Sequence, residues 1–275
     1  MKIDLHSHSH CSDGSLSPKE LLFRAEKSEI DIFSITDHDT CAAYDESFQL
    51  TTDIKLITGV EFSTRWNKIG IHILALNFDL TSKSIQATLC FQQQARRQRA
   101  ELIAQKLSKI GLHKALEKIQ NKSTTASSCA YIGRPDFAKL LVEEGVVKDL
   151  NHAFKKYLGA GKIGDIKNKW MPYEAIVKSI QQAGGMAVLA HPLSYKLSNA
   201  KLRRLLADFK ASGGQGLEVV NGYQNADKTN YLCQLCNEFD LKASLGSDFH
   251  HDSNWSSLGC SAKLISDCQP LWDEF

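Results

Sequence analysis

The sequence has no apolar run of the roughly 20 residues that a membrane-spanning helix needs, and no basic-then-apolar leader follows Met1. These two absences predict a cytoplasmic protein with no membrane partner. An excess of one charge is absent as well, because 33 Lys and Arg stand against 31 Asp and Glu. With 275 residues, 43% of them hydrophobic, the chain is long enough for one domain or for one domain with an insertion.

The cysteines do not form the pattern of a disulfide framework or of a zinc site. Eight cysteines in a chain of this size are best interpreted as reduced and mostly buried thiols. The one close pair, Cys233 and Cys236, lies within a helical pattern of apolar residues between Tyr231 and Phe239. Because no second Cys or His pair lies nearby, we interpret this pair as helix core rather than as a zinc or redox site.

The charges are unevenly distributed along the chain. Residues 81–168 contain 16 Lys and Arg against 7 Asp and Glu, a net charge of +9, and the remainder carries −7. The basic segment is either a solvated helix surface or an arm that attracts a polyanion. Arg134 precedes a proline at an expected helix start, where a guanidinium and backbone amides can both bind a phosphate. Arg96, Arg97 and Arg99 have glutamines but no aromatic platform beside them, so binding of long single strands is not indicated.

Short runs rich in Ile, Val and Leu predict seven strands, several of them buried on both faces. They are residues 2–5, 30–35, 55–60, 71–76, 187–190, 216–220 and 242–245. Helical patterns lie between many of them, and the first begins with the capping box Ser17-Pro18-Lys19-Glu20. This alternation predicts an α/β fold with seven strands, where a regular barrel has eight.

Two segments interrupt the alternation of strands and helices. The chain between Phe62 and Gly70 is too short for a helical crossover, so the strands on either side are expected to form an antiparallel hairpin. Residues 82–168 contain long helical patterns and few strand signals. We therefore predict a barrel formed by residues 1–81 and 169–275, with a helical insertion of residues 82–168 over the active site.

Histidines and carboxylates gather at the ends of the predicted strands, with Glu61 expected to end the third strand and His72 to begin the fourth. Nine such side chains can bind metal, namely His6, His8, Asp13, His38, Glu61, His72, His191, Asp248 and His250. In a parallel or barrel sheet the strand ends open on one face, where loops build active sites. His6 and His8 also point to one side of an extended segment. A lone His-x-His is more often two polar residues in a turn, but nine such residues together predict a metal site.

A site of imidazoles and carboxylates without cysteine suits Mn²⁺, Fe²⁺ or Zn²⁺. Two or more ions roughly 3.5 to 4 Å apart would polarise a phosphoryl oxygen and lower the pKa of a bridging water. This chemistry predicts hydrolysis of phosphate esters. Carboxylates such as Glu61 or Asp248 could bridge ions, because each has two oxygens. We expect Glu61, Asp248 and His191 to hold the metal-activated water.

These motifs resemble the PHP family, which is named for its polymerase and histidinol phosphatase members. They are Asp4-Leu5-His6-Ser7-His8 with Ser12-Asp13-Gly14, Ile35-Thr36-Asp37-His38-Asp39, Gly59-Val60-Glu61, Gly70-Ile71-His72, Ala190-His191-Pro192 and Gly246-Ser247-Asp248-Phe249-His250. The resemblance implies a distorted seven-stranded (β/α)7 barrel and three divalent ions, with Mn²⁺ expected. It also implies a ligand set for each ion: His6, His8, Glu61 and Asp248 for one, Glu61, His72 and His191 for a second, and Asp13, His38 and His250 for the third.

Within the family, the chain is most similar to the subgroup that contains ribonuclease AM and the 3′,5′-nucleoside bisphosphate phosphatases. The shared marks are Tyr157-Leu158-Gly159-x-Gly161-Lys162, Gly184-Gly185 and Leu258-Gly259. This resemblance implies trimming of short 5′-phosphorylated RNA from its 5′ end, or removal of the 3′ phosphate from nucleoside 3′,5′-bisphosphates. We therefore expect a nucleotide or short oligoribonucleotide substrate and no obligate protein partner.

Four residues are candidates for substrate binding, namely Arg134, Asp136, Lys162 and Asn225. The chain departs from the subgroup at Asp136, where a His is common, and at Leu193-Ser194, where an Arg follows His-Pro-Gly. Both departures concern substrate selection rather than the metal ligands.

Two other functions fit part of the pattern. The first is a small-molecule phosphatase such as histidinol phosphatase, against which the large basic insertion argues. The second is a non-catalytic metal-binding regulatory module. The intact set of nine metal-capable residues argues against it, because a degenerate site would be expected to have lost some of them.

Overall fold

The computed structural model describes residues 1–47, 53–122, 132–166, 169–252, 257–265 and 268–275. The chain forms two compact units, one of Met1–Cys90 with Met171–Phe275 and the other of Phe91–Trp170. We call the first the body and the second the helical unit. The predicted position of the insertion relative to the active site stays a prediction.

The described part of the body contains nine strands. They are β1 Lys2–Asp4, β2 Ile32–Phe33, β3 Lys55–Leu56, β4 Gly59–Trp66, β5 Ile69–Leu76, β6 Met186–Leu189, β7 Gly216–Asn221, β8 Lys242–Gly246 and β9 Cys260–Ser261. The expected number was seven. One predicted run, residues 55–60, is divided between β3 and β4, and β9 was not predicted because two residues are too few to show a period.

These strands form two mixed sheets, with the orders β3-β2-β1-β9 and β4-β5-β6-β7-β8. The strands β6, β7 and β8 are parallel, whereas β5 is antiparallel to both of its neighbours. Neither sheet closes on itself among the described strands, although isolated bridges join Ser7 to Phe249 and His38 to Glu61. The α/β class is confirmed, and the closed seven-stranded barrel stays a prediction.

The predicted hairpin is confirmed, and it places two of the candidate ligands differently from the expectation. Glu61 lies within β4 and His72 within β5, so the prediction that they end and begin strands is wrong. Glu61 pairs with Leu74, and Ser63 pairs with His72. Because residues two apart share a face of a strand, Glu61 and His72 are diagonal neighbours on one face of the sheet.

The described α-helices are distributed over both units. They are α1 Pro18–Lys27, α2 Ala43–Ser47, α3 Lys83–Ser108, α4 Ala115–Lys122, α5 Arg134–Glu143, α6 Leu150–Ala153, α7 Tyr173–Gln182, α8 Asn199–Ala211 and α9 Ala226–Phe239. The capping box predicted at Ser17 is present, because its hydroxyl accepts from the Glu20 amide and the Glu20 carboxylate accepts from the Ser17 amide. None of the described helices is long and apolar enough to cross a membrane.

Each unit has apolar side chains of its own. In the body, residues such as Phe62 and Ile73 of the β4–β5 hairpin and Leu235 of α9 are completely buried. Cys233 and Cys236 lie in the same helix and are buried in that core, as the helical pattern indicated. In the helical unit, Leu107 of α3 and Phe137 and Leu141 of α5 belong to a separate cluster. Among the described residues, no cysteine pair forms a disulfide.

Candidate metal centre

The structure brings all nine predicted metal-capable side chains into one cluster. Four overlapping groups have ligand atoms within 4.8 Å of one another: His8, Asp13, His38 and His250; His6, His8 and Asp248; His6, Glu61 and His191; and His38, Glu61 and His72. The sharing of members between groups makes the cluster continuous. The strand-end pattern therefore selected residues that meet in the folded body.

Glu61 lies at the centre of the cluster and is completely buried. Its Oε1 atom is 2.7 Å from Nδ1 of His72 and 2.9 Å from Nε2 of His191. Its Oε2 atom is 2.7 Å from Nδ1 of His38 and 3.4 Å from Nε2 of His8. Oε2 is also 3.5 Å from Nε2 of His6, so the two oxygens of this one carboxylate together face five imidazoles.

Asp248 faces the pair of histidines that follows β1. Its Oδ1 atom is 3.4 Å from Nε2 of His6 and 3.3 Å from Nε2 of His8. The two Nε2 atoms are 3.2 Å apart, since residues two apart on an extended segment point to the same side. Asp248 is held there by its own amide, which donates to the carbonyl of His6 at 2.8 Å.

Asp13 belongs to the loop that follows the first strand and completes a further group of ligands. Its Oδ1 atom lies 3.4 Å from Nε2 of His250, and its Oδ2 atom lies 3.8 Å from Nε2 of His38. Gly14 allows this loop to pack closely, because a Cβ atom there would lie 2.1 Å from the carbonyl oxygen of His8. A side chain at Gly14 would therefore force the backbone of this loop or of His8 to shift.

Burial and close charges shift the pKa values in the cluster in opposite directions. Burial, with help from the charge of His250, lowers the pKa of His8 to about 3. Burial alone would raise the pKa of Glu61, but the charges of His38 and other imidazoles lower it well below its usual value. Burial would likewise lower the pKa of His250, but its hydrogen bond with Asp13 raises it to about 9. These shifts in pKa favour an ionised Glu61, a neutral His8 and a protonated His250.

This donor set fits divalent metal ions. Imidazole nitrogens and carboxylate oxygens converge on the same small volumes, and no thiolate belongs to any of the four groups among the described residues. The rings of His8 and His250 stack with centroids 4.1 Å apart, which brings two nitrogen donors together. A cation that accepts both nitrogen and oxygen lone pairs satisfies such an arrangement, and Mn²⁺, Fe²⁺ and Zn²⁺ have that preference.

Three further buried carboxylates support the cluster and were not selected as site residues from the sequence. Asp4 accepts hydrogen bonds from the amides of Ser247, at 2.9 Å, and Gly259, at 2.8 Å. Asp37 accepts from the amide of Ser9 at 2.8 Å, and Glu218 contacts Nδ1 of His6 at 2.8 Å. A carboxylate within an apolar strand, as at Asp4 and Glu218, is a signal that could have identified them.

Three of the four candidate substrate residues lie in the helical unit. Arg134 begins α5, as expected, and its Nη1 atom donates to the carbonyl of Leu158 at 3.4 Å. The Asp136 carboxylate accepts from the amide of Gly133 at 2.8 Å, so it caps the same helix. Lys162 is exposed in a turn. The contacts with substrate predicted for these residues stay predictions.

The fourth candidate, Asn225, is an exposed helix cap in the body. Its side chain accepts from the amide of Lys228 at 3.0 Å, at the start of α9. The departure at Leu193-Ser194 lies in a 3₁₀ helix, Pro192–Tyr195. The Tyr195 hydroxyl accepts from the amide of His72 at 2.9 Å and donates to the carbonyl of Ala190 at 2.8 Å. This short helix therefore supports the backbone beside two strands of the cluster.

The chain is similar to proteins of known family along its whole length. The family model described as the PHP domain matches residues 4–183. A 5′-3′ exoribonuclease of Haemophilus influenzae is 40% identical, over 100% of this chain and 99% of the relative. A 3′,5′-nucleoside bisphosphate phosphatase of Chromobacterium violaceum is 34% identical, over 99% of this chain and 95% of the relative.

A solved structure has a similar fold over the same extent. It is described as an amidohydrolase from Chromobacterium violaceum with bound sulfate and no metal, and it is 33% identical with a TM-score of 0.87. The alignment covers 100% of this chain and 95% of that structure. The resemblance inferred from the motifs is confirmed, and the chain belongs to the PHP domain family.

Proposed function

We propose that this chain is a metal-dependent phosphoesterase of nucleotides or short RNA. It acts as a 5′-3′ exoribonuclease on short 5′-phosphorylated RNA, as a 3′-phosphatase on nucleoside 3′,5′-bisphosphates, or as both. The observation that carries this proposal is the meeting of nine metal-capable side chains in four overlapping groups. The names of two relatives along the whole chain support the substrate class.

We propose that the cluster holds three divalent ions, with Mn²⁺ the expected metal. The proposed ligands are His6, His8, Glu61 and Asp248 for one ion, Glu61, His72 and His191 for a second, and Asp13, His38 and His250 for the third. When bound, such ions polarise a phosphoryl oxygen and lower the pKa of a water. The position of Glu61 between imidazoles at both of its oxygens supports its assignment to two of these sets.

The side chains of the cluster differ in their exposure to solvent. The side chains of His6 and His8 have no exposure, so they hold their positions away from solvent. Those of Asp248 and His72 are 28% and 30% exposed, which leaves a way for a phosphate to approach. We propose that Glu61, Asp248 and His191 hold the attacking water, with Asp248 the most exposed of the three.

We also propose that the two sheets of the body together correspond to the distorted seven-stranded barrel. Contacts between their edges support this arrangement. The amide of Leu5 donates to the carbonyl of Leu245 at 2.9 Å, and the amide of Glu61 donates to the carbonyl of Thr36 at 3.2 Å. The segment after β1, which carries His6, and the strand β4, which carries Glu61, are thereby fixed relative to their neighbours in the other sheet.

For substrate binding, we propose contacts from Arg134, Asp136, Lys162 and Asn225. Arg134 is the strongest of these candidates, because it begins a helix with a proline in its first turn and lies in a unit of net charge +9. Its planar guanidinium suits a phosphate that is not being hydrolysed. The cytoplasmic location stays a prediction.

A comparison of three substrates tests the proposed function. The purified protein with Mn²⁺ is given a nucleoside 3′,5′-bisphosphate, a short 5′-phosphorylated RNA and histidinol phosphate, each with a parallel sample in EDTA. We expect hydrolysis of one or both of the first two, and its loss in EDTA. A preference for histidinol phosphate would instead support the small-molecule phosphatase, and metal binding without any hydrolysis would support the regulatory module.

A further inference from the structure

Glu218 is a completely buried carboxylate in β7, and it is not among the nine proposed ligands. Its Oε1 atom is 2.8 Å from Nδ1 of His6. Its Oε2 atom accepts from the backbone amide of His191 at 2.5 Å and from Nδ2 of Asn221 at 3.2 Å. One side chain outside the ligand set thus contacts two proposed ligands.

The surroundings of Glu218 are shaped to accommodate it. Its strand neighbours Leu217 and Val219 are completely buried, and a carboxylate among apolar side chains is unfavourable unless it is hydrogen-bonded. A Cβ atom at Gly246 would lie 2.6 Å from Oε1 of Glu218 and 2.3 Å from Cβ of His6. The register of β7 against β8 also shifts between Glu218 and Val220, an irregularity that re-aims side chains. Packing alone does not explain these features.

The two ring nitrogens of His6 face different partners. Nδ1 faces Glu218, while Nε2 lies 3.4 Å from Oδ1 of Asp248 and 3.5 Å from Oε2 of Glu61. A carboxylate at Nδ1 can only accept, so it requires the proton to be on Nδ1. The lone pair of Nε2 is then directed toward the metal-capable cluster.

His191 depends on Glu218 through its backbone rather than its ring. His191 has φ 28° and ψ 58°, in the region that a residue other than glycine seldom adopts. The amide of His191 donates to Glu218, and its Nε2 atom lies 2.9 Å from Oε1 of Glu61. This hydrogen bond joins the backbone of His191 to the same carboxylate that faces Nδ1 of His6.

We propose that Glu218 is a positioning residue that fixes the tautomer of His6 and the backbone of His191, so that both present Nε2 to the same metal centre. This inference rests on the proposed metal-dependent function. It predicts that loss of the Glu218 carboxylate weakens metal binding through two residues at once. Both belong to the group of His6, Glu61 and His191.

The substitution Glu218→Gln tests the proposal with little change in size. If the amide oxygen accepts from the His191 amide, the amide nitrogen must donate to Nδ1 of His6, and the His6 proton moves to Nε2. If the amide is turned round, its nitrogen opposes the His191 N–H group. In either orientation one ligand loses its position, and we expect Mn²⁺ affinity to fall about 10- to 100-fold. Titration calorimetry measures the affinity, and the visible absorption of the Co²⁺ form reports its coordination.

Asp208→Asn is the matched control, because the Asp208 carboxylate accepts from the indole of Trp66 at 2.7 Å and an amide oxygen can do the same. We expect this variant to keep wild-type Mn²⁺ affinity. Thermal unfolding in EDTA shows whether each variant folds without metal. Should Glu218→Gln fail to fold, Glu218→Asp decides the question, because it keeps the charge but withdraws the carboxylate by one methylene and should also weaken binding.

The outcomes separate this inference from the proposed function. Wild-type Mn²⁺ affinity and an unchanged Co²⁺ spectrum in a folded Glu218 variant would overturn the positioning role and leave the proposed function standing. Absence of Mn²⁺ binding by the wild-type protein would overturn the proposed function itself. Weaker binding by a folded Glu218 variant, with the Asp208→Asn control unaffected, supports the positioning role.

Discussion

The body and the helical unit bury different kinds of polar side chain. In the body, His6, His8, Glu61 and Glu218 are all without exposure and lie in contact with one another. Among the described residues of the helical unit, the buried polar side chains are instead Gln92, Arg96 and Arg99, beside an apolar cluster that includes Phe137. The charges differ as well, because residues 91–170 contain 16 Lys and Arg against 7 Asp and Glu, whereas the rest of the chain is acidic.

The two units also differ in how far along the chain their polar contacts reach. His6 and Glu218 are separated by 212 residues, and the bond between Ser247 and Asp4 joins positions 243 apart. In the helical unit, the bond between Arg134 and Leu158 joins positions 24 apart. The candidate metal centre therefore depends on the fold of the whole body.

The largest effect that this comparison predicts is that of Asp248→Asn in the body. An amide is close to the carboxylate in size but cannot supply the negative charge that helps to hold a divalent ion. We expect kcat/KM to fall by more than about 100-fold with little change in folding. Steady-state kinetics and circular dichroism measure the two properties.

Asp252→Asn is the control for Asp248→Asn. Asp252 is four residues further along the chain, is exposed, and pairs with Arg24. We expect this variant to keep wild-type activity. A rate for Asp248→Asn near that of the wild type, with metal content confirmed, would remove Asp248 from the proposed ligand set.

The next effect is that of metal on the stability of the two units. Mn²⁺ that binds the folded body stabilises it by about 2.7 kcal/mol when free Mn²⁺ is 100 times its dissociation constant. Hydrogen exchange with and without Mn²⁺ should show the added protection at residues 4–9, 36–39 and 246–250. Residues 91–170 should change much less. An equal gain in both units would contradict the assignment of the metal centre to the body alone.

A smaller and more selective effect is expected from Arg134→Ala in the helical unit. Removal of a charge-assisted contact with a phosphate usually costs about 1.5 to 3 kcal/mol, or roughly 10- to 150-fold in kcat/KM. We expect this loss for substrates with a second phosphate and a much smaller loss for an aryl monophosphate. Both should be measured at fixed Mn²⁺ concentration and ionic strength, because salt screens such contacts.

Lys139→Ala is the matched control for Arg134→Ala, since Lys139 is exposed on the same helix. It should reduce both activities little. If Arg134→Ala reduces hydrolysis of both substrates equally, Arg134 either contacts the reacting phosphate or supports the turn at Leu158. The melting temperature distinguishes these two explanations, because loss of the support at Leu158 would lower it.

Features set by neighbouring residues could be predicted from the sequence. The capping box at Ser17, the helix start at Arg134 and the β4–β5 hairpin depend on short segments, and each is present. The nine candidate ligands were selected because histidines and carboxylates recur beside apolar runs, and the structure brings them together. Their role as ligands stays a prediction.

Features set by distant residues could not be predicted in the same way. Strand β9 exists because Cys260 pairs with Ile3 at the other end of the chain. Glu218 becomes a partner of His6 only when β7 and β1 are both in place. Sequence spacing also could not show that β4 extends to Trp66. Glu61 therefore lies within this strand and not at its end, as had been expected.

The smallest predicted effect tests whether stability and activity can be separated within the body. Ser17→Ala removes the hydroxyl that accepts from the Glu20 amide at 3.2 Å. Loss of such a cap should lower the melting temperature by about 2 to 4 °C. The amide of Ser15, which donates to the carbonyl of His250 at 2.7 Å, is unchanged by the substitution. We therefore expect kcat/KM below the melting transition to equal that of the wild type. A parallel fall in kcat/KM would mean that the cap helps to position His250, and that the metal centre depends on α1 as well as on the contacts among its own ligands.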